Sequence, residues 1–313
     1  MNLSISPPAE APTLQVHELT KRYGRITAVD GLDFRVRPGV VTGFLGPNGA
    51  GKSTTLRMIL GLDRPSAGIA TIHGRRISEL HTPMRVVGAL LNAHAVHPRR
   101  SGFDHLQAFA RLGGIPRARV EETLERVGLA AAAKRPAGDY SLGMMQRLGI
   151  ATALIGEPSI VIFDEPLNGL DPDGIRWARG LMRDLAAEGR TVLFSSHLLN
   201  EMELTADHLL VIHHGRLVAD EPLRSFLDAR MSQWTIVRSP QRELLRTALS
   251  DAGLRVAPGD GDELVVGDAD TDRIGSIAAS ARIEVSELTT RRDSLENVFL
   301  RMTAASTEKE LRA

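Results

Sequence analysis

One nine-residue stretch, GPNGAGKST at positions 46–54, most constrains what this chain can fold into. It holds three glycines, one lysine and two hydroxyl residues but no large side chain, so it cannot contribute to a hydrophobic core. The apolar run VVTGFLG leads directly into it, and LRMILGL follows with the spacing of a helix. Together these pieces predict a buried strand, a tight glycine loop and a helix that begins at the loop.

The stretch fits the phosphate-binding pattern G-x-x-x-x-G-K-[ST], and we call residues 46–54 the phosphate loop. Glycines let backbone N–H groups turn inward on phosphate oxygens at a helix N-terminus, whereas a plain glycine turn is the alternative. Lys52 would send a compact ammonium to the β- and γ-phosphates, and Ser53 would place a hydroxyl on Mg²⁺. Only four of the 38 basic residues are lysines, which favours a chemical reason for this one. The expected nucleotide contacts are Gly46, Pro47, Asn48, Gly49, Ala50, Gly51, Lys52, Ser53 and Thr54.

The composition argues against several classes of protein. The 38 basic residues are balanced by 38 acidic ones, so the basic excess of a dedicated nucleic-acid binder is absent. The chain has no cysteine, hence no disulfide framework and no thiolate metal site. Its first residues lack the pattern of a secretory signal, and nowhere do about 18 uncharged apolar residues run together. We therefore expect an intracellular protein that contacts a membrane only through a partner.

The order of predicted elements divides the chain. From residue 14 to about 230, strands alternate with helices, which predicts an α/β domain with a parallel sheet. Beyond 231 the pattern is strand, helix (240–252), strand, strand (ELVVG), helix (271–280) and strand (IEVSEL), the order of a split βαβ unit. The predicted organisation is a flexible leader (1–12), a main domain (13–230) with a helical subdomain at about 92–155, a small α+β domain (231–302) and a tail (303–313).

Within the main domain, two short runs, SIVIF and TVLFSS, are typical of strands buried on both faces of a parallel sheet. Residues 101–135 have the pattern of two helices separated by GGIP, and a further helix follows Ser141 as its N-cap. Near the C-terminus, one apolar helical face is expected to pack on the small domain. It is formed by Leu295, Val298, Phe299 and Met302.

Two carboxylates follow the run SIVIF, where they would be costly without a cation. Asp164 is therefore interpreted as the carboxylate on the side of a nucleotide-bound Mg²⁺. Glu165, which strand alternation would point the other way, could orient and deprotonate an attacking water. His197 follows the run TVLFSS, on a strand expected to lie beside that of Asp164, and a contact with a γ-phosphate is one of several roles open to it.

The order of the phosphate loop, YSLGMMQR, FDEP, NGLD and SSH resembles the nucleotide-binding subunit of ATP-binding-cassette (ABC) transporters, over residues 14 to about 230. The resemblance implies a P-loop NTPase cassette with a mixed, largely parallel core sheet and a helical subdomain, followed here by a small C-terminal α+β domain. In that family, two cassettes pair head to tail and enclose two ATP molecules.

Site roles follow from the resemblance by matching position. Tyr23 would stack on adenine. Lys52, Glu165 and His197 would be catalytic, with His197 on the γ-phosphate, and Ser53 and Asp164 would bind the metal. YSLGMMQR, which we call the signature segment (residues 140–147), would reach the partner's ATP through Ser141, Gly143 and Met144. Ser141 and Gly143 match the family's LSGGQ, whereas Leu142 and Met144 depart from it.

Two further positions concern partners. Asp171 in NGLD would lie at the seam between the two cassettes. The family's glutamine that helps to hold Mg²⁺ and relays the nucleotide state to the membrane subunit is replaced by Asn92. Asparagine keeps the amide but has one methylene less reach, which places direct metal contact in doubt more than relay.

A cassette followed by a small domain ending in SLENVFLRMT is similar to the exporter-type subunits of the drug- and antibiotic-resistance branch. This predicts an ATPase, dependent on ATP and Mg²⁺, that powers export of a small molecule through a separate integral membrane permease. It would pair with a second ATP-binding subunit, for which a homodimer is favoured and a related subunit is the alternative. It would sit at the cytoplasmic face of the cell membrane, bound through the permease.

Two alternatives stay open from sequence. One is a non-transport cassette ATPase that acts on nucleic acid or the ribosome, although such relatives usually carry two cassettes or a long insertion and this chain has neither. We therefore expect no nucleic-acid partner. The other, which could coexist with transport, is that the small C-terminal domain senses a small molecule and gates the ATPase.

Overall fold

The structure is a computed structural model that describes residues 13–230, 233–267, 269–292 and 299. The chain divides into two compact units between Phe226 and Leu227. In the first unit the strands are β1 (Leu14–Tyr23), β2 (Ile26–Val36), β3 (Val41–Leu45), β4 (Ala67–Ile72), β5 (Val87–Leu90), β6 (Ile160–Phe163), β7 (Thr191–Ser196), β8 (His208–His213) and β9 (Arg216–Pro222). The helices up to the second unit are α1 (Lys52–Ile59), α2 (Pro83–Val86), α3 (Gly102–Leu112), α4 (Arg117–Arg126), α5 (Leu142–Leu154), α6 (Pro172–Ala187), α7 (Leu199–Thr205) and α8 (Leu223–Arg230). Short 3-10 turns lie at Ile77–Glu79, Ala130–Ala132 and Ala137–Asp139.

The main sheet has six strands in the order β5-β6-β7-β3-β8-β9. All neighbouring pairs are parallel except β8 and β9, so the sheet is mixed and largely parallel, as predicted. Every residue of β3, β6 and β7 is buried, which is the expected state of central strands covered on both faces. The carboxyl ends of these three strands therefore meet at one edge of the sheet, where ligands bind in open α/β sheets.

A smaller antiparallel sheet, in the order β2-β1-β4, stands apart from the main sheet. Helix α1 is in contact with all three of its strands. One apolar core joins the pieces, with Leu14 from β1, Leu56 from α1 and Phe44 from β3 all fully buried. Burying one such side chain contributes about 1.5–3 kcal/mol, so this core fixes α1, and with it the phosphate loop, against both sheets.

Helices α3 to α5 form the predicted helical region. Helices α3 and α4 are separated by the GGIP turn, and α5 begins directly after Ser141. The hydroxyl of Ser141 accepts a hydrogen bond from the backbone N–H of Met144 at 3.2 Å, as expected of an N-cap. The predicted fold class is thus confirmed, down to the element that carries the signature segment.

The second unit contains β10 (Gln233–Arg238), α9 (Arg242–Asp251), β11 (Arg255–Pro258), β12 (Glu263–Gly267), α10 (Thr271–Ser280) and β13 (Glu287–Arg292). The strands form an antiparallel sheet in the order β11-β12-β10-β13, and apolar residues of the sheet and both helices form its own core. This is the predicted strand and helix order of a split βαβ unit.

One strand of the second unit lies further along the chain than predicted. The sequence favoured IEVSEL, but β13 begins only at Glu287. Ile283 and Val285 instead pack against the core beside the end of α10, and the ladder begins after Ser286 donates its N–H to the carbonyl of Arg238. Of the predicted apolar face, Leu295, Val298 and Met302 lie outside the described residues.

Candidate nucleotide site

The phosphate loop connects the end of β3 to the start of α1, and two of its glycines are required by close packing. A Cβ on Gly46 would lie 2.5 Å from the carbonyl oxygen of Ile212. A Cβ on Gly51 would lie 2.5 Å from the carbonyl oxygen of Ala28, and its φ of 107° is a conformation that side chains disfavour. The chain's own backbone therefore allows only glycine at these two positions.

Lys52 is the first residue of α1, and its side chain is only 6% exposed. The ammonium donates to the carbonyl oxygens of Gly46 at 2.7 Å and Pro47 at 3.3 Å, which are both in the phosphate loop. It also lies 3.5 Å from Oε1 of Glu165. A buried cation is stable only where oxygens surround it, and here loop carbonyls and one carboxylate supply them.

Seven residues of the phosphate loop line one cleft together with Ala28 and Glu165. Within it, Ser53 is exposed and Thr54 is half-buried, whereas Gly46 and Ala50 are buried behind the lining. The cleft thus brings the predicted loop contacts to the same place as the predicted water-activating carboxylate, although 111 positions separate Glu165 from Thr54 in the sequence.

Asp164 and Glu165 follow β6, but the reason that they face different partners is not strand alternation. The strand ends at Phe163, and Glu165 has a φ of 50°, the left-handed region. That conformation costs a non-glycine residue about 1–2 kcal/mol, so the surroundings must hold it in place. The two carboxylates have different partners, Ser195 for Asp164 and Lys52 and His197 for Glu165, whereas their roles toward Mg²⁺ and water stay predictions.

Ser195 of β7 is one of the groups that hold these two acids. Its hydroxyl donates to the carboxylate of Asp164 and accepts the backbone N–H of Glu165 at 2.9 Å. Strand β7 pairs with β6, as the sequence predicted for the strand before His197. One buried hydroxyl therefore links the candidate metal carboxylate to the backbone of the candidate base.

The carboxylate of Glu165 lies between two cations or potential cations. Nδ1 of His197, on the loop after β7, is 2.9 Å from Oε2, while the ammonium of Lys52 faces Oε1. A proton on Nδ1 of His197 makes this contact a hydrogen bond to the carboxylate, which leaves Nε2 for another partner. Glu165 is 21% exposed, so it is sheltered but reachable from the cleft.

Sequence reasoning did not single out Gln146 or Ser195. Gln146, in the signature segment, is 5% exposed and donates from Nε2 to the backbone carbonyl of Glu165 at 3.1 Å. A usable indication existed for both residues, because each is a polar side chain in a largely apolar element and needs a partner when buried.

Tyr23 is not among the residues that line the cleft of the phosphate loop. It is half exposed near the end of β1, and its hydroxyl donates to Asp63 at 3.3 Å. The ammonium of Lys21 lies 4.9 Å from the centre of its ring. Desolvation and the charge of Asp63 raise the pKa of the Tyr23 hydroxyl, whereas hydrogen bonding to Arg57 lowers the pKa of Asp63. The hydroxyl of Tyr23 therefore keeps its proton.

The start of the signature segment packs against the NGLD segment of the same chain. A Cβ on Gly169 would lie 2.2 Å from Leu142, so the large side chain at this departure from the family pattern fills space beside NGLD. Asp171 caps α6 by accepting the N–H of Gly174 at 2.7 Å. Gly143 has no such close neighbour, since a Cβ there would meet nothing nearer than 3.6 Å. Ser141, Gly143, Met144 and Asp171 all lie outside the lining of the phosphate-loop cleft.

Asn92 is exposed just after β5 and uses its side-chain oxygen locally, accepting the backbone N–H of His94 at 2.8 Å. It is also absent from the lining of the cleft. The structure therefore gives Asn92 a role in shaping its own loop.

Ser53 of the cleft and Asp164, directly before Glu165, suit Mg²⁺ bound together with a nucleotide, although Asp164 and His197 are not themselves among the residues that line the cleft. Ser53 and Asp164 offer a hydroxyl and a carboxylate, the oxygen ligands that Mg²⁺ prefers, and Ser195 fixes the orientation of Asp164. Among the described residues there is no group of three or more His, Cys, Asp or Glu side chains that could hold a metal by itself.

Taken together, a buried strand leading into a glycine loop, a lysine at the following helix and two acids after another strand of the same largely parallel sheet define a P-loop protein that binds a nucleoside triphosphate. Comparison with known proteins identifies the family. The family model for ABC transporter domains matches residues 29–168, and a model described as a domain of unknown function matches residues 233–296.

Relatives match over nearly the whole chain. The uncharacterized ABC transporter ATP-binding protein YhcH of Bacillus subtilis (strain 168) is 35% identical over 300 residues, covering 95% of this chain and 97% of YhcH. The bacitracin transport ATP-binding protein BcrA of Bacillus licheniformis is 34% identical, covering 94% of this chain and 98% of BcrA. A solved ATP-binding subunit of an ABC transporter superposes with a TM-score of 0.64 at 28% identity, covering 69% of this chain and 92% of that subunit.

The chain belongs to the ATP-binding proteins of ABC transporters, and it is an ATPase. The resemblance seen in the sequence, including the branch that handles antibiotics, is confirmed. Among the helices that the structure describes, none combines the length and apolar character needed to cross a bilayer.

Proposed function

We propose that this chain energises the export of an antibiotic-like small molecule through a separate membrane permease, by binding and hydrolysing ATP with Mg²⁺. The observation that carries the hydrolytic part is the cleft in which the phosphate loop, Lys52 and Glu165 come together, with His197 beside the carboxylate. The relative named for bacitracin transport, similar over both units, supports the class of substrate.

In this proposal, the phosphate loop binds the triphosphate through its backbone N–H groups and Lys52, while Tyr23 stacks on the adenine. Ser53 and Asp164 hold Mg²⁺, which would neutralise phosphate charge. The position of Tyr23 outside the lining of the cleft fits a contact with the base, which lies at the other end of the nucleotide from the γ-phosphate.

Glu165 is the proposed general base. Its carboxylate orients and deprotonates the water that attacks the γ-phosphate, and the P–O bond to the leaving ADP breaks as the new P–O bond forms. His197, held by the hydrogen bond to Glu165, turns its other ring nitrogen toward the γ-phosphate. Lys52, next to both the loop carbonyls and Glu165, stabilises charge on the transferred group.

The proposed active unit is a homodimer in which each nucleotide is enclosed by the phosphate loop of one copy and the signature segment of the other. Ser141 and Gly143 would present a hydroxyl and backbone N–H groups at the start of α5 to the partner's ATP. Met144 would replace the family's glutamine there, and Asp171 would lie at the seam. The space at Gly143, where a Cβ would meet no atom of the described residues nearer than 3.6 Å, supports close approach by a second copy.

We also propose how the remaining parts serve transport. The loop after β5, shaped by Asn92, would relay closure of the dimer to the permease, so the protein would lie at the cytoplasmic face of the membrane. Residues 13–230 would be the cassette, with a helical subdomain at about 92–155, and residues 231–302 an accessory domain between it and the tail. That domain could bind a small molecule and gate hydrolysis.

The test is to co-express the chain with the membrane protein encoded beside it, purify any complex and place it in lipid vesicles. We expect Mg²⁺-dependent ATP hydrolysis that bacitracin-type peptides stimulate, together with ATP-dependent movement of these peptides into inverted vesicles. Recovery of the chain without a membrane protein, or a complex whose hydrolysis and transport ignore all such compounds, would overturn the proposed substrate class.

A further inference from the structure

Gln146, a residue of the signature segment, contacts the backbone of Glu165. It lies on α5, five positions after the N-cap Ser141, and its side chain is buried. Its Nε2 donates to the backbone carbonyl of Glu165 at 3.1 Å. A buried amide is costly unless it is hydrogen-bonded, so this contact fixes where the side chain points.

The backbone of Glu165 is held by side chains from two different elements. Ser195 of β7 accepts its N–H, and Gln146 of α5 donates to its carbonyl, which also accepts the N–H of Asn168 at 3.3 Å. Since β6 has already ended and the φ of Glu165 is 50°, no regular ladder maintains this conformation. These hydrogen bonds do so instead.

The direction of a side chain depends on the backbone that carries it. If the carbonyl of Glu165 loses the donor from α5, the peptide group can relax toward a less strained conformation, and the carboxylate moves relative to Lys52 and His197. General-base catalysis is sensitive to displacements of this kind, because a misplacement of about 1 Å can lower the rate by about a hundredfold.

We infer that Gln146 is a positioning residue. By holding the peptide group of Glu165 it fixes the position of the Glu165 carboxylate relative to helix α5. This inference rests on the proposed role of Glu165 as general base. Helix α5 would then act on both nucleotide sites of a dimer. Its first turn would face the partner's ATP, and Gln146 bonds to the backbone of the general base that would act on the ATP of its own chain. Movement of α5 when the dimer closes is passed to Glu165 through one hydrogen bond.

The experiment compares three substitutions in the full-length chain by steady-state ATP hydrolysis. Gln146→Met keeps the approximate shape but removes the N–H donor, whereas Gln146→His places a ring N–H at a similar reach. Thr152→Val is the matched control, because this residue lies on α5 and its hydroxyl bonds only to the carbonyl of Leu148 in the same helix. Circular dichroism and the thermal midpoint show whether each variant is folded.

We expect Gln146→Met to lower kcat about tenfold with the KM for ATP within about twofold of wild type, and Gln146→His to recover most of the loss. Thr152→Val should retain wild-type kcat. An unchanged kcat in Gln146→Met, an equal loss in Met and His variants, or a raised KM at constant kcat would overturn the inference. Should the Met variant fail to fold, Gln146→Glu offers an acceptor of the same size in place of the donor, and the same loss of kcat is expected.

A second background separates this inference from the proposed function. In Glu165→Gln, trapping of an ATP-bound dimer should be the same with and without Gln146→Met, because only positioning for hydrolysis is lost. A dimer that disappears with Gln146→Met would show a disturbed signature helix and overturn the positioning role. Turnover that persists in Glu165→Gln alone would instead remove the general base from the proposed function.

Discussion

The phosphate loop and the signature segment each present backbone N–H groups at the start of a helix, α1 in one case and α5 in the other. In the phosphate loop, a Cβ on Gly46 or Gly51 would lie 2.5 Å from a carbonyl oxygen of the same chain. At Gly143 of the signature segment, the nearest atom would be 3.6 Å away. The first segment is shaped by contacts inside the subunit, whereas nothing in the described residues requires the glycine of the second.

This difference separates a segment shaped by its own subunit, the phosphate loop, from one that has room for another molecule, the signature segment. The phosphate loop has a folded environment that keeps its form before any nucleotide binds. Around Gly143, the contacts of the signature segment within the described residues are the helix cap at Ser141 and the packing of Leu142 beside Gly169, whereas Gln146 bonds to Glu165 further along α5. A requirement for glycine at position 143 must then come from another molecule that approaches it closely, and our proposal supplies one in the nucleotide of a second copy.

The largest expected effect is a loss of hydrolysis while ATP binding by the phosphate loop and the signature segment is kept. Glu165→Gln keeps the size of the side chain but removes the proposed base, so kcat should fall by about 10²- to 10⁴-fold. ATP binding and an ATP-dependent dimer should persist, because neither segment has been altered. Hydrolysis is measured by phosphate release and the dimer by size-exclusion chromatography. Near wild-type phosphate release would show that another group activates the water.

The next effect is a loss of stability caused by a substitution inside the phosphate loop. Gly51→Ala places a methyl group against the carbonyl of Ala28 in an unfavourable backbone conformation, which should lower the free energy of unfolding by about 2–4 kcal/mol. Denaturation in urea without nucleotide measures it. Gly49→Ala is the matched control, because its φ is 81° but its Cβ would meet nothing within 4 Å. Equal losses in both variants would mean that conformation alone, and not the close contact, requires Gly51.

A smaller effect is expected from a substitution at Gly143 of the signature segment. Gly143→Ala adds a methyl group where the subunit has room, and alanine favours a helix over glycine by about 0.5–1 kcal/mol, so the stability of the subunit should be unchanged or slightly raised. If a second copy's nucleotide approaches this position, kcat should nevertheless fall about tenfold. Denaturation and hydrolysis are measured on the same sample. A stable variant with full activity would argue against close approach at Gly143.

The smallest effect concerns the helical region that carries the signature segment. His105 of α3 is 4% exposed, and its Nδ1 has no hydrogen-bond partner among the residues that the structure describes. Burial, with a lesser contribution from the charge of Arg100, lowers the pKa of His105. The unfolded chain, in which a histidine has a pKa of about 6.5, then binds a proton that the folded chain does not, so stability is full above that value and declines as the pH falls below it.

His105→Leu should therefore flatten the dependence of the unfolding midpoint on pH between about 7.5 and 5.5, since it removes the group that titrates. His81→Gln, at an exposed position, serves as the control and should keep the slope. Hydrogen exchange at both pH values would locate the loss, which we expect in α3 to α5 and not in α1. A slope that survives His105→Leu would assign the acid sensitivity to other groups.

The parts of the fold that depend on pattern were predictable from the sequence. Apolar runs gave the central strands, and the glycine loop, the GGIP turn and the cap at Ser141 gave the helix starts. The start of β13 was placed too early, because alternating apolar residues at Ile283 and Val285 serve a helix end as well as they would serve a strand.

The geometry of the site was less predictable. The sequence predicted that the acids after β6 and the histidine after β7 would come together, since these strands were expected to be neighbours. It could not predict the left-handed backbone of Glu165, which is imposed by Ser195 and Gln146 from distant elements. The roles of the signature segment, Tyr23 and Asn92 stay predictions, since they depend on contacts beyond one subunit or on a bound nucleotide.

The site is assembled from the ends of β3, β6 and β7. Strand β3 lies more than a hundred residues before the other two in sequence, yet all three are parallel neighbours in one sheet. Pairings over such distances are slow to form during folding, because the loops between them must be ordered first. ATP can therefore recognise only a chain whose central sheet is complete. A ligand that binds only the folded state stabilises it. ATP at a hundred times its dissociation constant would add about 2.7 kcal/mol to the free energy of unfolding, so the substrate of the enzyme would also stabilise the central sheet.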